Sequence, residues 1–416
     1  MAGVNVFLSL LLCAAPHAFG GVRAEPRPQQ RAAQGAEDAS ALLVQALELL
    51  RAGKLEEAEP LLRRALAANP RSADAHTLLG VVLDQRGRVR AAEAQYREAL
   101  VLSPRSVAAH VNLGVLLARA GRHAEAVAVL ARAEELQPGA FDVLYNLGVA
   151  LYNLKRLDEA DGKLAAAAAL APGAAEPLYY RGLIAFERGR DEAAGELWER
   201  AVALRPNYAA AHFMLGEVLR KHERYAAARD FYESAVRYDP SQAVYHVRLG
   251  GAYILLGEFE RALEVFQNAA RLFPEVDELD YFTGLAARGK GDYELAQTAL
   301  RKALARRPEN ADALALLGAI LSDRGDAAEA EALLRRAVAR DAKHFNAQRD
   351  LGALLVRAGR YADALPVLQR AADLNARDPE VHYKLYTALT RLGRKDEAER
   401  ELATYKRLAE AEKSRQ

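Results

Sequence analysis

The sequence predicts an all-α protein, a solenoid of stacked helical hairpins, on three observations. The first is a strict period. Glycine recurs every 34 residues from Gly80 to Gly352, through Gly114, Gly148, Gly182, Gly216, Gly250, Gly284 and Gly318. A second glycine series lies seven residues later, from Gly53 to Gly393, with Lys155 and Glu223 in its two gaps. The second observation is that other residue types keep the same step. Alanine holds one phase without exception from Ala58 to Ala398, and proline closes eight units from Pro70 to Pro308. The third is the pattern inside each period, where apolar residues fall at helical spacing. Repetition at a fixed period of this length is the signature of a solenoid.

One unit shows why each element forms. In residues 107–140, VAAHVNLGVLLARAGRHAEAVAVLARAEELQPGA, the apolar spacing up to Leu117 predicts an amphipathic first helix. Gly121 stands where that helix must stop and turn. A second helical pattern runs from about Ala124 to Leu136, and Pro138 ends it. The mid-helix glycine, Gly114 here, should cost roughly 0.5–1 kcal/mol against alanine unless a neighbouring helix packs close to it. A side chain larger than alanine at Ala126 should overpack, at roughly 1–3 kcal/mol.

These residues carry a family resemblance. Leu113-Gly114, Ala126, Leu130, Ala133 and Pro138, and again Leu215-Gly216, Ala228, Tyr232, Ala235 and Pro240, resemble the tetratricopeptide repeat (TPR) pattern. Eleven units start at 39, 73, 107, 141, 175, 209, 243, 277, 311, 345 and 379 and span 39–412. Residues 413–416 form a tail. The departures gather at the C-terminal end, where Ala342 and Ala376 replace the proline and Tyr386 replaces the first-helix glycine. The resemblance implies a right-handed superhelical solenoid of helix-turn-helix units whose first helices line a concave groove.

Composition bounds the partners. A net charge of +1, from 57 basic and 56 acidic side chains, gives no electrostatic footprint for a nucleic-acid backbone. No stretch approaches the ~20 apolar residues of a membrane helix. The short apolar run VNVFLSLLLCAA (4–15), followed by Val22-Arg23-Ala24, resembles a secretory signal peptide over 1–24. Export to the periplasm or exterior is therefore expected. Leu-Leu-Leu-Cys13 departs from a lipobox, so lipoprotein anchoring is less favoured. Cys13 is the single cysteine, and its removal with the leader would exclude a disulfide framework and a thiol nucleophile. Residues 25–38, EPRPQQRAAQGAED, read as a disordered spacer.

No motif points to catalysis, a cofactor or a metal. His76, His110, His212, His246 and His382 share one phase of the first helix, but the period puts each in a different unit, and they read as helix-packing residues. There is no G-x-S-x-G, H-E-x-x-H or P-loop. A non-enzymatic protein is expected.

The expected binding surface is a helical stripe at unit positions 2, 5, 6, 9, 12 and 13. Asn112 and Asn146 hold position 6, where their amides could pair with an extended peptide backbone. This is similar to the asparagine ladder in the TPR superhelix of O-linked N-acetylglucosamine transferase, whose catalytic domain has no counterpart here. Aromatics join them at Tyr145, Tyr152, Tyr179, Tyr180, Phe213 and Tyr281, and basic residues at Arg220, Arg248 and Arg288. Aromatics with arginine are the composition of binding hot spots. The expected function is a scaffold that binds an extended protein segment in the groove. Two other readings stay open. One is a rigid spacer in an envelope assembly such as pilus biogenesis or exopolysaccharide export. The other is glycan binding through the tyrosine stripe.

Overall fold

Turn glycines and close-packed helix pairs build this chain. The computed structural model describes residues 28–413, and among them 22 α-helices and no strand occur. Cys13 and the expected leader lie outside the described residues. The chain forms two compact units that meet in sequence at Pro206 and Asn207.

The first unit holds α1 (Pro28–Arg51), α2 (Leu55–Ala68), α3 (Ala73–Gln85), α4 (Val89–Leu102), α5 (Val107–Arg119), α6 (His123–Leu136), α7 (Phe141–Asn153), α8 (Leu157–Leu170), α9 (Ala175–Glu187) and α10 (Asp191–Leu204). Each helix packs on the next, and successive first helices also touch, α3 on α5 and α7 on α9 among them.

The second unit holds α11 (Ala209–Lys221), α12 (Tyr225–Tyr238), α13 (Ala243–Leu255), α14 (Phe259–Leu272), α15 (Glu278–Lys290), α16 (Tyr293–Arg306), α17 (Ala311–Arg324), α18 (Ala327–Arg340), α19 (Phe345–Arg357), α20 (Tyr361–Leu374), α21 (Pro379–Arg391) and α22 (Lys395–Lys413). Here too neighbouring helices pack in sequence, and α15, α17, α19 and α21 touch one after another.

The turn inside each hairpin follows from one backbone conformation. Gly121 takes φ +76°, its N–H donates to the Ala118 carbonyl, and the Arg122 N–H donates to the Leu117 carbonyl. This pair of bonds satisfies carbonyls that a helix end leaves open. Lys155 and Glu223, which fill the gaps in the glycine series, take the same left-handed conformation at φ 61° and 58°. Both keep the bonding pattern, since Lys155 donates to Tyr152 and Glu223 to Arg220.

The mid-helix glycines mark where two helices of one hairpin come closest. A Cβ on Gly114 would lie 2.5 Å from Leu130, and one on Gly182 would lie 2.4 Å from the Trp198 indole nitrogen. The residue 16 positions on, from Tyr96 to Leu368, fills that space each time. Tyr96, Trp198, Tyr232 and Phe266 are the large members of this series and are fully buried. The alanine phase is buried from Ala58 to Ala398.

Three of the five phased histidines serve the linkers between hairpins, while His110 meets the Ser106 carbonyl at the start of its own helix. His246 Nε2 meets the Pro240 carbonyl at 3.0 Å, and His382 Nε2 meets the Ala376 carbonyl at 3.1 Å. His76 reaches the Pro70 carbonyl at 3.1 Å. Each of these three rings ties a first helix to the residue that closes the preceding unit.

One expectation is corrected. Residues 28–38, read as part of a disordered spacer, belong to α1. Their composition, PQQRAAQGAED, is rich in alanine and glutamine, both good helix formers. The run continues without a break into the part of α1 that buries Ala39 and Ala46.

Candidate functional site

In the first unit the stripe is largely occupied by its own side chains. Asn112 and Asn146 are both half-buried. The Asn146 amide donates to the Asp142 carbonyl one turn back, at 2.7 Å. Such a back-bond uses one amide N–H within the helix itself, so Asn146 offers less to a ligand than its position implies. Asn112 makes no such bond among the described residues.

The tyrosines beside them form one cluster. Tyr145 stacks on Phe141 at 5.9 Å between ring centres and meets Tyr180 edge to face at 6.0 Å. Tyr180 also packs against Tyr152 at 5.8 Å and Tyr179 at 5.5 Å. The Tyr152 hydroxyl donates to Glu187 at 2.5 Å, and the Lys155 ammonium reaches the same carboxylate at 2.8 Å. Burial pushes the phenols of Tyr145, Tyr152 and Tyr180 above their usual range, and for Tyr152 the Glu187 carboxylate adds to the rise. The cluster joins α7 to α9, so these rings do much of their work as packing.

In the second unit two expected ligand cations are already paired. Arg220 and Arg248 both bind Glu217, at 3.2 and 3.0 Å, and the Tyr232 hydroxyl donates to the same carboxylate at 2.5 Å. Burial works against the ionised form of Glu217, but the Tyr232 hydroxyl and the two arginines outweigh it and hold its pKa below the ordinary value. Phe213 packs at 4.7 Å from Tyr245 and 5.7 Å from Tyr232. This group is a closed polar network, so Arg220 and Arg248, expected as basic residues of the groove, are both ion-paired to Glu217.

Tyr281 and Arg288 are placed differently. They line a cleft of about 250 Å³ together with Leu285, Asp312, Ala315, Leu316, Ala319, His344, Asn346, Arg349 and Asp350. Counted within their units, all of these except His344 stand at positions 2, 5, 6, 9 or 12 of three consecutive first helices, α15, α17 and α19. The expected stripe therefore lines a real cavity here. Ala315 and Ala319 leave the space open, where larger residues would fill it. Burial, with the Asp312 charge adding, raises the Tyr281 phenol above its usual range.

Most charges in the cleft are satisfied. Arg349 donates to Asp350 at 2.9 Å and lies over the Phe345 ring at 5.6 Å. His344 caps α19 by accepting from the Ala347 N–H, and its other ring nitrogen meets Asp312 at 3.1 Å. Arg288 is half-buried and has no acidic partner among the described residues. The residues that sequence reasoning did not single out are Glu217, Asp312, Asn346, Arg349 and Asp350, and the stripe positions themselves would have found them.

Residues 200–416, just over half the chain, match the family described as the cilia and flagella-associated protein 70 C-terminal domain. Residues 43–104, 83–141, 126–175 and 145–209 match the tetratricopeptide-repeat family. No curated relative matches the chain. Among solved structures, the hetero-tetramer Cut9–Hcn1 of the APC/C aligns at TM-score 0.47 and 14% identity, over 89% of this chain and 93% of that one. Yeast Tom70 aligns at 0.40 and 15%, over 86% of this chain and 96% of that one. MamA aligns at 0.36 and 22%, over 39% of this chain and 95% of that one. These TM-scores are low, and the likenesses carry no functional argument.

Proposed function

We propose, from the premise that the chain belongs to the tetratricopeptide-repeat family and, through residues 200–416, to the family of the cilia and flagella-associated protein 70 C-terminal domain, that it is a non-catalytic scaffold holding an extended segment of a protein partner. The single observation that carries this reading is the cleft on the first-helix stripe of α15, α17 and α19. Its volume, about 250 Å³, falls below the roughly 300–1,000 Å³ of small-molecule pockets. It suits one or two side chains of a longer segment better than a cofactor. The tyrosine stripe offers less support for sugar stacking, because its rings are engaged with one another.

The test is selection from a displayed library of random dodecapeptides on the full chain and two variants. Asn346→Trp places a bulky ring over the cleft from an exposed position. Gln369→Trp puts the same ring on an exposed second-helix position. Peptides retained by the chain and by Gln369→Trp but lost from Asn346→Trp support the reading. Retention that ignores Asn346→Trp, or no retained peptide at all, sinks it.

Export remains part of this proposal, resting on residues 4–24 of the sequence. N-terminal sequencing of the chain made in a secreting host should begin at Glu25, and a chain that keeps its leader argues against export.

A further inference from the structure

We infer that the cleft of α15, α17 and α19 selects a partner segment with an acidic residue beside an apolar one, the carboxylate seated on Arg288. The inference rests on the scaffold reading above and names the chemistry that its site would accept.

Arg288 is the residue that the fold leaves unfinished. A half-buried guanidinium has lost part of its hydration and keeps a fixed fork of N–H donors that match a carboxylate. The other charges nearby do not share this condition. Arg349 is held by Asp350 at 2.9 Å. Asp312 meets His344 at 3.1 Å, and its side chain is 67% exposed, so water satisfies the rest of it. Arg288 therefore supplies a half-buried cation at the wall with no acidic partner among the described residues, and a ligand acid is its complement. Charge-assisted bonds of this kind are roughly twice as strong as neutral ones.

The floor specifies the neighbour. Leu285, Leu316, Ala315 and Ala319 present apolar surface, with Tyr281 to one side. Leu285 precedes Arg288 by three residues on the same helix face. A bound segment that sets its carboxylate on Arg288 can thus lay an aliphatic or aromatic side chain against this floor. The volume admits one such side chain beside the acid. Arg288 also lies in the last turn of α15, where a cation is favourable to the helix. A helix-end cation alone would affect melting and would have no effect on the choice of peptide.

The experiment reads the composition of the dodecapeptides retained by the full chain. Aspartate or glutamate next to leucine, isoleucine or phenylalanine should be enriched. Arg288→Gln should lower the affinity of a selected peptide about tenfold. Replacing that peptide's acid by its amide should cost the same in the parent chain and nothing further in Arg288→Gln. Because glutamine keeps a polar side chain and helix propensity close to that of arginine, circular dichroism should be unchanged. Retained peptides without acidic enrichment, or an affinity indifferent to Arg288→Gln, overturn the inference while leaving the scaffold reading intact. Enrichment in basic residues would also overturn it, because it would assign recognition to Asp312 and Asp350. No retained peptide at all would overturn both.

Discussion

Glu223 and Lys155 hold a backbone conformation that their side chains oppose. The left-handed region costs an L-residue roughly 1–2 kcal/mol, and the greater freedom of unfolded glycine takes back part of what relief would give. Glu223→Gly should therefore stabilise the chain by about 0.5–1 kcal/mol, read as a higher urea midpoint. Glu223→Ala keeps the Cβ and should bring no such gain. Lys155→Gly should gain less, because it gives up the bridge to Glu187 at 2.8 Å. Glycines within helices divide by what they face. Gly182→Ala would put a Cβ 2.4 Å from the Trp198 ring, and overpacking should cost roughly 1–3 kcal/mol. Gly195→Ala meets nothing within 4 Å, and alanine's better helix propensity should raise stability by up to about 1 kcal/mol. Urea melts of the two variants should shift in opposite directions. The period made both glycine series legible in the sequence. It did not name the residue 16 positions on as the cause, because that contact runs between helices and depends on how closely they pack.

At the scale of the element, the stripe was legible and its occupancy was not. Helical phase says which way a side chain leaves its helix, so positions 2, 5, 6, 9 and 12 could be written down, and in the second unit they line the cleft. Phase says nothing about which charges meet across helices. Arg248 on α13 reaches back 31 residues to Glu217 on α11, so a cation that looked available is spent. Proline was equally hard to read. Pro60 and Pro366 sit inside α2 and α20, at exposed positions where water can serve the carbonyl each leaves unpaired. The Glu217 network makes its own prediction about pH. Its folded pKa lies below the ordinary 4.5, so on acidification the unfolded chain takes up the proton first. The stabilisation is complete above that ordinary value and is lost as pH falls through the folded pKa. Other carboxylates in the chain are also lowered, so the useful quantity is a difference. The stability gap between the parent chain and Glu217→Gln should be constant from neutral pH to about pH 5 and shrink below it. A gap that is constant through the acid range would mean that Glu217 contributes nothing through its charge.

For the whole molecule, the period describes one uninterrupted array, whereas the structure divides it between Pro206 and Asn207. Nothing in the sequence marks that break, because the unit at 209 obeys the same phases as its neighbours. Stability in repeat arrays comes from each repeat and its immediate neighbours, so a set of hairpins with its own core can fold without the rest. Both units have one. Buried residues from Ala46 to Ile184 form a cluster in the first, and those from Ala228 to Ala398 form another in the second. Fragments 39–206 and 207–416 should therefore each give a helical circular dichroism spectrum and unfold in urea on their own. The cleft runs from Tyr281 to Asp350 and draws every lining residue from the second unit. A peptide selected by the full chain should then bind fragment 207–416 with unchanged affinity and show no affinity for fragment 39–206. Suppose fragment 207–416 folds but does not bind. The recognition surface would then need residues before Asn207, and the cleft alone would not be the site. Suppose instead that binding follows fragment 39–206. The half-buried asparagines and the tyrosine cluster of α7 and α9 would be the better site, and Arg288 would lose its role.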